Sequence, residues 1–381
     1  MPDYQYPIPD SRLTIGFLRR GYSPTGGVEA YLKGLADGLR NEGHRVVLIG
    51  TSEWPESEWP GGEILRCKGA TLSEYSAEVT RQKTRSDIRF DLILSVEKVP
   101  GCDLYRTDEG LHRAWLSQRS RYISPWARLF QRISPKHREK LHLEKQLFTP
   151  GSTQRVISLS HKISGEIRDL YGYPEKQISL IRNGVPTRTA TTSEERAYAR
   201  KELGIPADEK IALFVGTGWE RKGLRFAIRA VEGLNDPRVK LLVAGSGSQK
   251  RYASLSVRFL GGVREMKMVY DTADLFLFPT LFDPFPLATL EALSAGLPVI
   301  TTAANGVSEI MTPGVHGEVI AEPSDSSALI TALRKWLGIL SDPVQGDQAR
   351  SACAALTSEF TLERNLRETL AVIREVIAER E

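Results

Sequence analysis

The stretch DTADLFLFPTLFDPFPLATLEALSAGLPVI, residues 271–300, decides how the rest of the chain is interpreted. Its apolar run Leu275–Phe278 predicts a short buried strand, and Val299–Thr302 predicts the next strand. Between them, leucines at helical spacing predict a helix that begins at Pro286 and stops at Gly296. The stretch is therefore predicted to form a strand, a loop, a helix and a second strand.

The loop and the helix of this unit each carry an acid. Asp283 lies in the loop, and Glu291 lies about two turns into the predicted helix. The first N–H groups of a helix have no partner within it, so they favour a phosphate or a hydroxyl group nearby. The two acids either line a ligand site or are surface acids of an ordinary βαβ unit, and their spacing alone leaves both interpretations open.

A second candidate phosphate site follows the strand predicted at residues 211–215. The turn after it contains Gly216 and Gly218, but a dinucleotide-binding fingerprint needs a third glycine where this chain has Arg221. Instead, Arg221 and Lys222 put two cations at a predicted helix start, which suits a diphosphate leaving group. The alternative is a pair of exposed cations without a ligand.

The amino-terminal half begins with a similar order of elements. A strand at 13–18 is followed by a loop with Gly26 and Gly27 and by an amphipathic helix. The two glycines either let backbone N–H groups approach an anion or only permit a tight turn. A later strand, at 91–96, leads into a polar loop at 97–115, where doubly wound sheets place ligand-contacting residues.

The pattern Asp283-x-Phe-Pro-x4-Glu291 and the following Glu-Ala-Leu-Ser-Ala-Gly-Leu-Pro-Val-Ile resemble the signature of the retaining family 4 glycosyltransferases. The resemblance covers the chain after residue 12 and is most specific between 211 and 301. It implies an α/β fold of two doubly wound Rossmann-like domains facing each other across a cleft, the GT-B fold. The last helix is expected to cross back to the first domain.

The resemblance also assigns roles to individual residues. Glu291 is expected to hold the ribose diol of a sugar nucleotide. Asp283, where the family usually has Glu, is expected to contact the hydroxyls of the donor sugar. Arg221 and Lys222 are expected to clamp the diphosphate. Further donor contacts are expected at Gly26, Gly27, Gly216, Gly245, Val263, Phe285, Pro286 and Leu287.

On the acceptor side, the loop at 97–115 resembles the corresponding loop of lipopolysaccharide-core glucosyltransferases. That resemblance makes Asp108 an acid that lines the cleft and His112 a second polar contact. The candidate catalytic set is therefore Asp108, Arg221, Lys222 and Asp283. No enzymic nucleophile is assigned, because the departing diphosphate can itself take the proton of the acceptor.

The implied reaction is transfer of a hexose, with glucose favoured, from a nucleoside diphosphate sugar to a glycan or glycolipid hydroxyl with retention of configuration. A UDP-sugar is the favoured substrate, and lipopolysaccharide-core or other cell-surface glycan synthesis is the expected setting. The chain contains no Asp-x-Asp pair, so neither a metal nor another cofactor is expected. The alternatives are a nucleotide-sugar epimerase on a similar scaffold and a non-catalytic nucleotide-sugar-binding protein.

Composition narrows the class of protein. Of the 381 residues, 41% are hydrophobic and 26% are charged, which is typical of a globular chain. No apolar run approaches the roughly 20 residues that span a bilayer. The acidic, Pro-rich start is unlike a secretory signal, and three scattered cysteines (Cys67, Cys102 and Cys353) favour a reducing compartment. A cytoplasmic location is expected.

Residues 113–145 stand out by charge. They contain nine Lys and Arg against two Glu, a local charge of +7 compared with +4 for the whole chain. Among the cations lie Trp115, Tyr122, Trp126 and Phe130. This composition suits a helix on an anionic membrane surface, here the inner face of the inner membrane. The alternative is a solvated insertion whose aromatic residues pack on the domain. Nucleic acid is not expected, because no motif for it is present.

The expected domain organisation has five segments. These are a flexible lead-in at 1–11, an acceptor-side domain at 12–185, a linker at 186–208, a donor-binding domain at 209–360 and a carboxy-terminal helix at 361–381. The last helical pattern is predicted as one continuous helix over 345–380.

Overall fold

A computed structural model describes residues 12–24 and 26–380. These residues form two compact units, each with its own parallel sheet. The first unit contains the described residues up to Arg182 and those from Asn365 onward, and the second spans Asn183–Arg364. The lead-in expected at 1–11 lies outside the described residues.

The sheet of the first unit has seven parallel strands in the order β3-β2-β1-β4-β5-β6-β7. The strands are β1 Thr14–Leu18, β2 Arg45–Gly50, β3 Ile64–Arg66, β4 Leu92–Ser95, β5 Leu104–Arg106, β6 Arg155–Ser158 and β7 Ile178–Leu180. β1 pairs with β2 on one side and with β4 on the other, so the strand order reverses at β1. In doubly wound sheets, ligands bind beyond the carboxyl ends of the strands at such a point.

Helices join several pairs of successive strands in the first unit. The helices of this unit are α1 Gly27–Asn41, α2 Leu72–Arg85, α3 His112–Ser120, α4 Pro125–Ile133, α5 Pro135–Leu147, α6 His161–Tyr171 and most of α14 Leu362–Ala378. As predicted, the last helix belongs to the first unit from Asn365 onward. Arg155 of β6 pairs with Glu375 at 3.2 Å, and Tyr31 of α1 lies 3.4 Å from the hydroxyl of Thr369.

The sheet of the second unit has six parallel strands in the order β10-β9-β8-β11-β12-β13. The strands are β8 Lys210–Val215, β9 Val239–Ala244, β10 Val257–Gly261, β11 Leu275–Phe278, β12 Val299–Thr302 and β13 Gly317–Ile320. The helices are α7 Ser193–Glu202, α8 Trp219–Lys222, α9 Leu224–Glu232, α10 Met266–Thr272, α11 Leu287–Ser294, α12 Ser326–Ile339 and α13 Pro343–Thr357. The change of direction lies at β8, between β9 and β11.

Residues 186–208, expected as a linker, are packed into the second unit. Arg188 lies 2.6 Å from Asp271, and Arg200 lies 2.7 Å from Asp274. Asp271 lies in the last turn of α10, and Asp274 lies between α10 and β11. The ion pairs thus hold both α7 and the segment before it to the core of the unit. The polar composition that suggested a linker is that of an amphipathic helix joined to the core through charged groups.

The helix predicted over 345–380 is two helices, α13 and α14, separated by residues 358–361. The break occurs because the backbone there pairs with another segment: the N–H of Val185 donates to the Phe360 carbonyl at 2.9 Å. Gly184 lies so close to Thr361 that a Cβ at this glycine would overlap the Thr361 carbonyl. The glycine of the Asn183-Gly184 pair is thus explained by a close backbone approach.

The polar stretch 97–115 is not one continuous loop. It contains β5 and the start of α3. The sequence pattern did not predict β5, because the strand has only three residues and ends on a charged one, Arg106. Arg106 is nevertheless fully buried. None of the helices within residues 12–24 and 26–380 combines the length and the hydrophobicity of a membrane-spanning segment. Cys67, Cys102 and Cys353 are buried free thiols.

Candidate functional site

Asp283 lies in the loop between β11 and α11, at the change of direction in the second sheet. Its N–H donates to the Ala304 carbonyl at 3.0 Å, and its carbonyl accepts from the Gly306 N–H at 2.9 Å. These two bonds tie the loop to the segment that follows β12. The side chain of Asp283 is held in a buried position by backbone that is itself fixed.

Lys222 and Asp283, which the sequence singled out separately, form an ion pair. The Lys222 Nζ atom lies 3.0 Å from Asp283 Oδ2, and only 13% and 7% of the two side chains are exposed. The same Nζ lies 4.8 Å from the centre of the Phe278 ring, at the end of β11. Burial lowers the pKa of Lys222, and the neighbouring Asp283 carboxylate opposes this shift.

Arg221 and Lys222 lie on the last turn of the one-turn helix α8. They were expected at the start of a longer helix, but Gly223, with a φ of +79°, separates α8 from α9. The Arg221 carbonyl accepts the N–H of Leu281 at 2.8 Å and the hydroxyl of Thr280 at 3.1 Å. The turn that carries the two cations is therefore bonded directly to the loop that carries Asp283.

Gly216 is required by the position of Lys222. It has a φ of +134°, and a Cβ there would lie 2.7 Å from Lys222 Cε. The lysine side chain thus lies across a surface that only glycine leaves open. Gly245 follows the neighbouring strand β9, and its N–H donates to the Gly261 carbonyl at 2.7 Å. Val263, two residues further, is half-buried in the turn after β10.

Glu291 lies on α11 and is half-buried. Its Oε2 atom accepts a hydrogen bond of 2.6 Å from the hydroxyl of Tyr270 on α10. Burial raises the pKa of Glu291, and this hydrogen bond opposes the shift. Tyr270 was missed by the sequence reasoning, because nothing in the pattern connects it with a residue 21 positions later.

Pro286 is not the first residue of its helix. It is the N-cap in an extended conformation, with a φ of −67° and a ψ of 127°, and α11 begins at Leu287. Thr289 and Leu290 donate their N–H groups to the Pro286 carbonyl, so the first helical N–H groups are those of Leu287 and Ala288. The helix start is therefore shifted by one residue, with its first N–H groups next to the loop of Asp283.

The carbonyl of Phe285 accepts a hydrogen bond from a side chain that lies far away in the sequence. Asn183 Nδ2 donates to it at 2.6 Å, and Asn183 is buried. Asn183, close to the end of the first domain predicted at 12–185, thus supports the loop between β11 and α11. Its position 102 residues earlier in the chain explains why this contact could not be foreseen.

Gly26 and Gly27 lie in the first unit, at the start of α1. Gly26 is the N-cap with a φ of −79°, and a Cβ there would overlap the Glu29 carboxylate. That carboxylate pairs with Arg19 at 2.8 Å, and Arg19 also lies 3.1 Å from Glu97. Gly26 therefore packs closely against the Glu29 carboxylate, whereas Gly27 is exposed.

Asp108 follows β5 in the first unit and forms an ion pair with Arg106 through Oδ1. Its Oδ2 atom is buried without a hydrogen-bond partner among the described residues, and 7% of the side chain is exposed. Burial raises the pKa of Asp108, while the Arg106 guanidinium opposes the shift. The predicted acceptor-side acid thus has one bonded oxygen and one buried oxygen without a partner among the described residues.

His112 is the first residue of α3. Its Nε2 atom lies 3.1 Å from Nδ1 of His137, and its backbone N–H donates to the buried carboxylate of Glu144. Burial, together with nearby cations such as Lys98, lowers the pKa of His112 to about 3. The imidazole is therefore neutral near pH 7 and engaged with a second histidine.

The basic region 113–145 is built from α3, α4 and α5. The middle helix exposes four apolar side chains one turn apart on a single face, the α4 stripe: Trp126, Leu129, Phe130 and Ile133. Trp126 is 74% exposed and Phe130 67% exposed. For these two aromatic residues the alternative of packing on the domain is wrong, whereas Trp115 and Tyr122 are half-buried.

The candidate residues divide between the units. Gly26, Gly27, Asp108 and His112 belong to the first unit, and the ten others, from Gly216 to Glu291, belong to the second. Within the second unit, Lys222 and Asp283 meet directly, and Arg221 is bonded to the same loop through its carbonyl. In the described part of the chain, no three His, Cys, Asp or Glu side chains are grouped closely enough to hold a metal ion.

Solved structures of other proteins share this fold. The lipopolysaccharide glycosyltransferase WaaG matches with a TM-score of 0.79 at 22% identity, covering 94% of this chain and 99% of its own. HepE of Anabaena, solved in complex with UDP-glucose, matches with a TM-score of 0.68 at 19% identity over 97% and 99% of the two chains. The predicted GT-B fold is confirmed by these similarities.

Sequence comparisons identify the family. The family of glycosyl transferases group 1 matches residues 209–338. WaaG of Escherichia coli, a lipopolysaccharide glucosyltransferase, is 25% identical over 85% of this chain and 90% of its own. An uncharacterised glycosyltransferase of Methanocaldococcus jannaschii is 30% identical over 340 residues, which cover 80% of this chain and 84% of its own. The chain therefore belongs to the group 1 glycosyltransferases.

Proposed function

We propose that this protein transfers a hexose, with glucose favoured, from a nucleoside diphosphate sugar to a hydroxyl group of a glycan or glycolipid. The observation that carries the proposal is the Lys222–Asp283 ion pair beside Arg221 and the start of α11. A cation for a diphosphate and an acid for sugar hydroxyls lie within one hydrogen bond of each other. HepE, solved with UDP-glucose, supports a UDP-sugar as the donor.

The charges of the second unit suit departure of a diphosphate. Arg221 and Lys222 offer two positive charges, and the N–H groups of Leu287 and Ala288 begin a helix whose dipole favours an anion. Such preorganised donors stabilise the charge that develops on a leaving group. Glu291, oriented by Tyr270, is assigned to the ribose hydroxyls. The leaving group is thus neutralised by side chains and backbone, and the proposed reaction is independent of a metal ion.

Retention of configuration follows if attack and departure use the same face of the sugar. The departing diphosphate then lies next to the attacking hydroxyl and can accept its proton, so the enzyme needs no nucleophile of its own. In this scheme, Asp108 and His112 orient the acceptor. A neutral imidazole at His112 and the Asp108 carboxyl group can both accept a hydrogen bond from a hydroxyl group.

The acceptor is proposed to lie at an anionic membrane surface. The α4 stripe supports this, because its apolar side chains are exposed on the helix that carries Arg128 and Arg132. An amphipathic helix of this kind lies in the headgroup layer, where each cation contributes roughly 1 kcal/mol of attraction. The protein would then act as a peripheral enzyme on the cytoplasmic face of the inner membrane, in lipopolysaccharide-core or related glycan synthesis.

The test is incubation with UDP-, GDP- and ADP-hexoses labelled in the sugar, with and without lipopolysaccharide-core and other glycan acceptors. Release of the nucleoside diphosphate, with the label and the original anomeric configuration in the acceptor, is expected. Label that stays on the nucleotide as an epimeric sugar would establish the epimerase instead. Donors that raise the melting temperature without any turnover would establish a binding protein.

A further inference from the structure

Arg106, at the end of β5, is a buried cation with an unusual environment. Its side chain is fully buried, and its guanidinium carbon lies 3.6 Å from the centre of the Tyr31 ring on α1. The ring is held in turn by Thr369 of α14, whose hydroxyl lies 3.4 Å from that of Tyr31. A strand, the first helix and the last helix thus fix the plane of this guanidinium.

Asp108 is the carboxylate that compensates this charge. Arg106 Nη1 donates to Asp108 Oδ1, and the Asp108 N–H donates to the Arg106 carbonyl at 3.0 Å. A carboxylate next to a rigid guanidinium has a defined orientation, because the planar fork of arginine directs its N–H groups. Fixing Oδ1 therefore also fixes the direction in which Oδ2 points.

Oδ2 of Asp108 has nothing to accept in the described structure. It is buried and lacks a hydrogen-bond partner, in a side chain that is 7% exposed. A buried carboxylate oxygen without a donor is costly, so most such oxygens in proteins are bonded. An oxygen left in this state at the carboxyl edge of the first sheet is available for a ligand hydroxyl.

We infer that Arg106 is a positioning residue for the acceptor: it holds the Asp108 carboxyl group turned so that Oδ2 receives the acceptor hydroxyl. This inference rests on the proposed function. Arg106 itself touches neither donor nor acceptor in this scheme. It acts through Asp108, and Tyr31 and Thr369 act through Arg106.

The alternative is an ion pair that only stabilises the first unit. The two roles differ in what happens to Asp108 when Arg106 is replaced. Because burial raises the pKa of Asp108 and Arg106 opposes the rise, loss of the guanidinium must move that pKa upward. Asp108 would then lose its proton only at a higher pH. If the ion pair only stabilised the fold, a folded variant would keep the pH dependence of the wild type.

The experiment compares Arg106→Met, Arg106→Lys, Asp108→Asn and the double variant Arg106→Met/Asp108→Asn in sugar transfer. Arg85→Met, at an exposed cation in the last turn of α2 of the same unit, is the control. Arg106→Met is expected to lower kcat/KM for the acceptor roughly 10- to 100-fold. It should leave the KM of the donor unchanged and shift the acidic limb of the pH–rate profile to higher pH.

Arg106→Lys keeps the charge but not the planar fork. It should lose acceptor kcat/KM with little shift of the pH profile, and it serves as the informative variant if Arg106→Met does not fold. In the Asp108→Asn background, Arg106→Met should add almost nothing, because both changes remove the same oriented oxygen.

Two results would overturn the inference in distinguishable ways. Folded Arg106→Met and Arg106→Lys with wild-type acceptor kcat/KM and pH profile, or losses that are additive with Asp108→Asn, overturn it while sugar transfer by the wild type stands. Wild-type protein that transfers no sugar from any of the donors overturns the proposed function, and the inference falls with it.

Discussion

Lys222 is the residue on which the donor chemistry depends most. It is a largely buried cation whose side chain has the Asp283 carboxylate as an ion-pair partner 3.0 Å away. A bound diphosphate brings negative charge close to Lys222. The lysine would then either bind Asp283 and the diphosphate together or exchange Asp283 for the diphosphate. The ion pair keeps the lysine compensated while the donor is absent and positioned when it arrives.

Lys222→Ala is expected to lower kcat/KM by roughly 10²–10³, the typical effect of removing one charge-stabilising donor. The matched control is Lys201→Ala, at an exposed lysine in the last turn of α7 in the same unit. Steady-state assays of nucleoside diphosphate release measure both variants. A folded Lys222→Ala variant with the turnover of the control would remove the lysine from the mechanism.

Asp283→Ala should separate binding of the sugar from binding of the diphosphate. Calorimetric titration should show near-wild-type affinity for the nucleoside diphosphate, because Lys222 remains, and weaker affinity for the complete sugar nucleotide. Glu291→Gln should weaken both ligands, since it loses one acceptor for the ribose hydroxyls. The opposite pattern in the two variants would mean that the roles of the acids are exchanged.

Asp283→Ala also leaves Lys222 buried without its carboxylate. Breaking a buried pair destabilises a protein by about 3 kcal/mol or more, although 13% exposure of Lys222 reduces this cost. A nucleoside diphosphate at 100 times its Kd adds about 2.7 kcal/mol of stability. Because its affinity is expected to be near that of the wild type, the variant should start from a lower Tm and show a similar ligand-induced rise in Tm. A variant whose Tm does not rise with the nucleoside diphosphate would argue against a phosphate at Lys222.

At the scale of single residues, the charged candidate residues could be named from the sequence, whereas the side chains that they contact could not. Arg221, Lys222, Asp283 and Glu291 could be singled out because the short patterns around them resemble the signature of a known family. Tyr270 was not, because its bond to Glu291 depends on how two helices pack. Contacts between residues far apart in the chain have no local signal.

At the scale of elements, α4 is the exception to the rule that an amphipathic helix buries its apolar face. Ser124 caps its start by accepting the Ala127 N–H, and Pro125 occupies the first turn, so the helix is locally well specified. Its four apolar side chains are nevertheless exposed in the described structure. A capped helix with an exposed apolar stripe suits a surface that is itself apolar below a charged layer.

Charge reversal at Arg121, Arg128 and Arg132 is expected to abolish sedimentation with anionic phosphatidylglycerol vesicles and to leave Tm almost unchanged. Wild-type binding should fall steeply with salt, because exposed charges are screened over about 8–10 Å at physiological ionic strength. Reversal of the three exposed cations Lys201, Arg229 and Lys250 of the second unit is the control with the same net charge.

Replacement of the apolar side chains tests the other half of the same interaction. Trp126→Ser/Phe130→Ser should weaken vesicle binding at high salt, where insertion rather than charge dominates. Wild-type protein that ignores anionic vesicles at low salt would make the membrane role wrong and favour a soluble glycan as acceptor.

Strands and helices with a clear pattern of apolar residues were predicted, and those without such a pattern were not. β11 and β12 have the predicted bounds because each is a short apolar run between turn signals. β5 was missed, since three residues that end on Arg106 carry no period. The break between α13 and α14 was missed as well, because Val185 from another segment causes it.

At the scale of the whole molecule, the chain contains two α/β units of similar topology, each built around a sheet of parallel strands. In each, the strand order reverses at the first strand, β1 or β8, and most candidate residues follow that strand or a strand next to it. Asp108 and His112 follow β5, and Val263 follows β10, each one strand further away. This repetition is why the fold could be predicted from strand and helix patterns together with a family resemblance. The place of residues 186–208 could not, because ion pairs with Asp271 and Asp274, which composition does not reveal, hold this segment in the second unit.

The most direct test of the donor site is amide hydrogen exchange of the full chain with and without saturating UDP, repeated with GDP and ADP. With the diphosphate that binds, protection is expected at residues 216–223 and 283–292, where the cations, the Asp283 loop and the start of α11 lie. Residues 112–147 should exchange as before. Protection confined to the first unit, or no protection with any of the three, would contradict a nucleoside diphosphate site at Lys222 and Asp283.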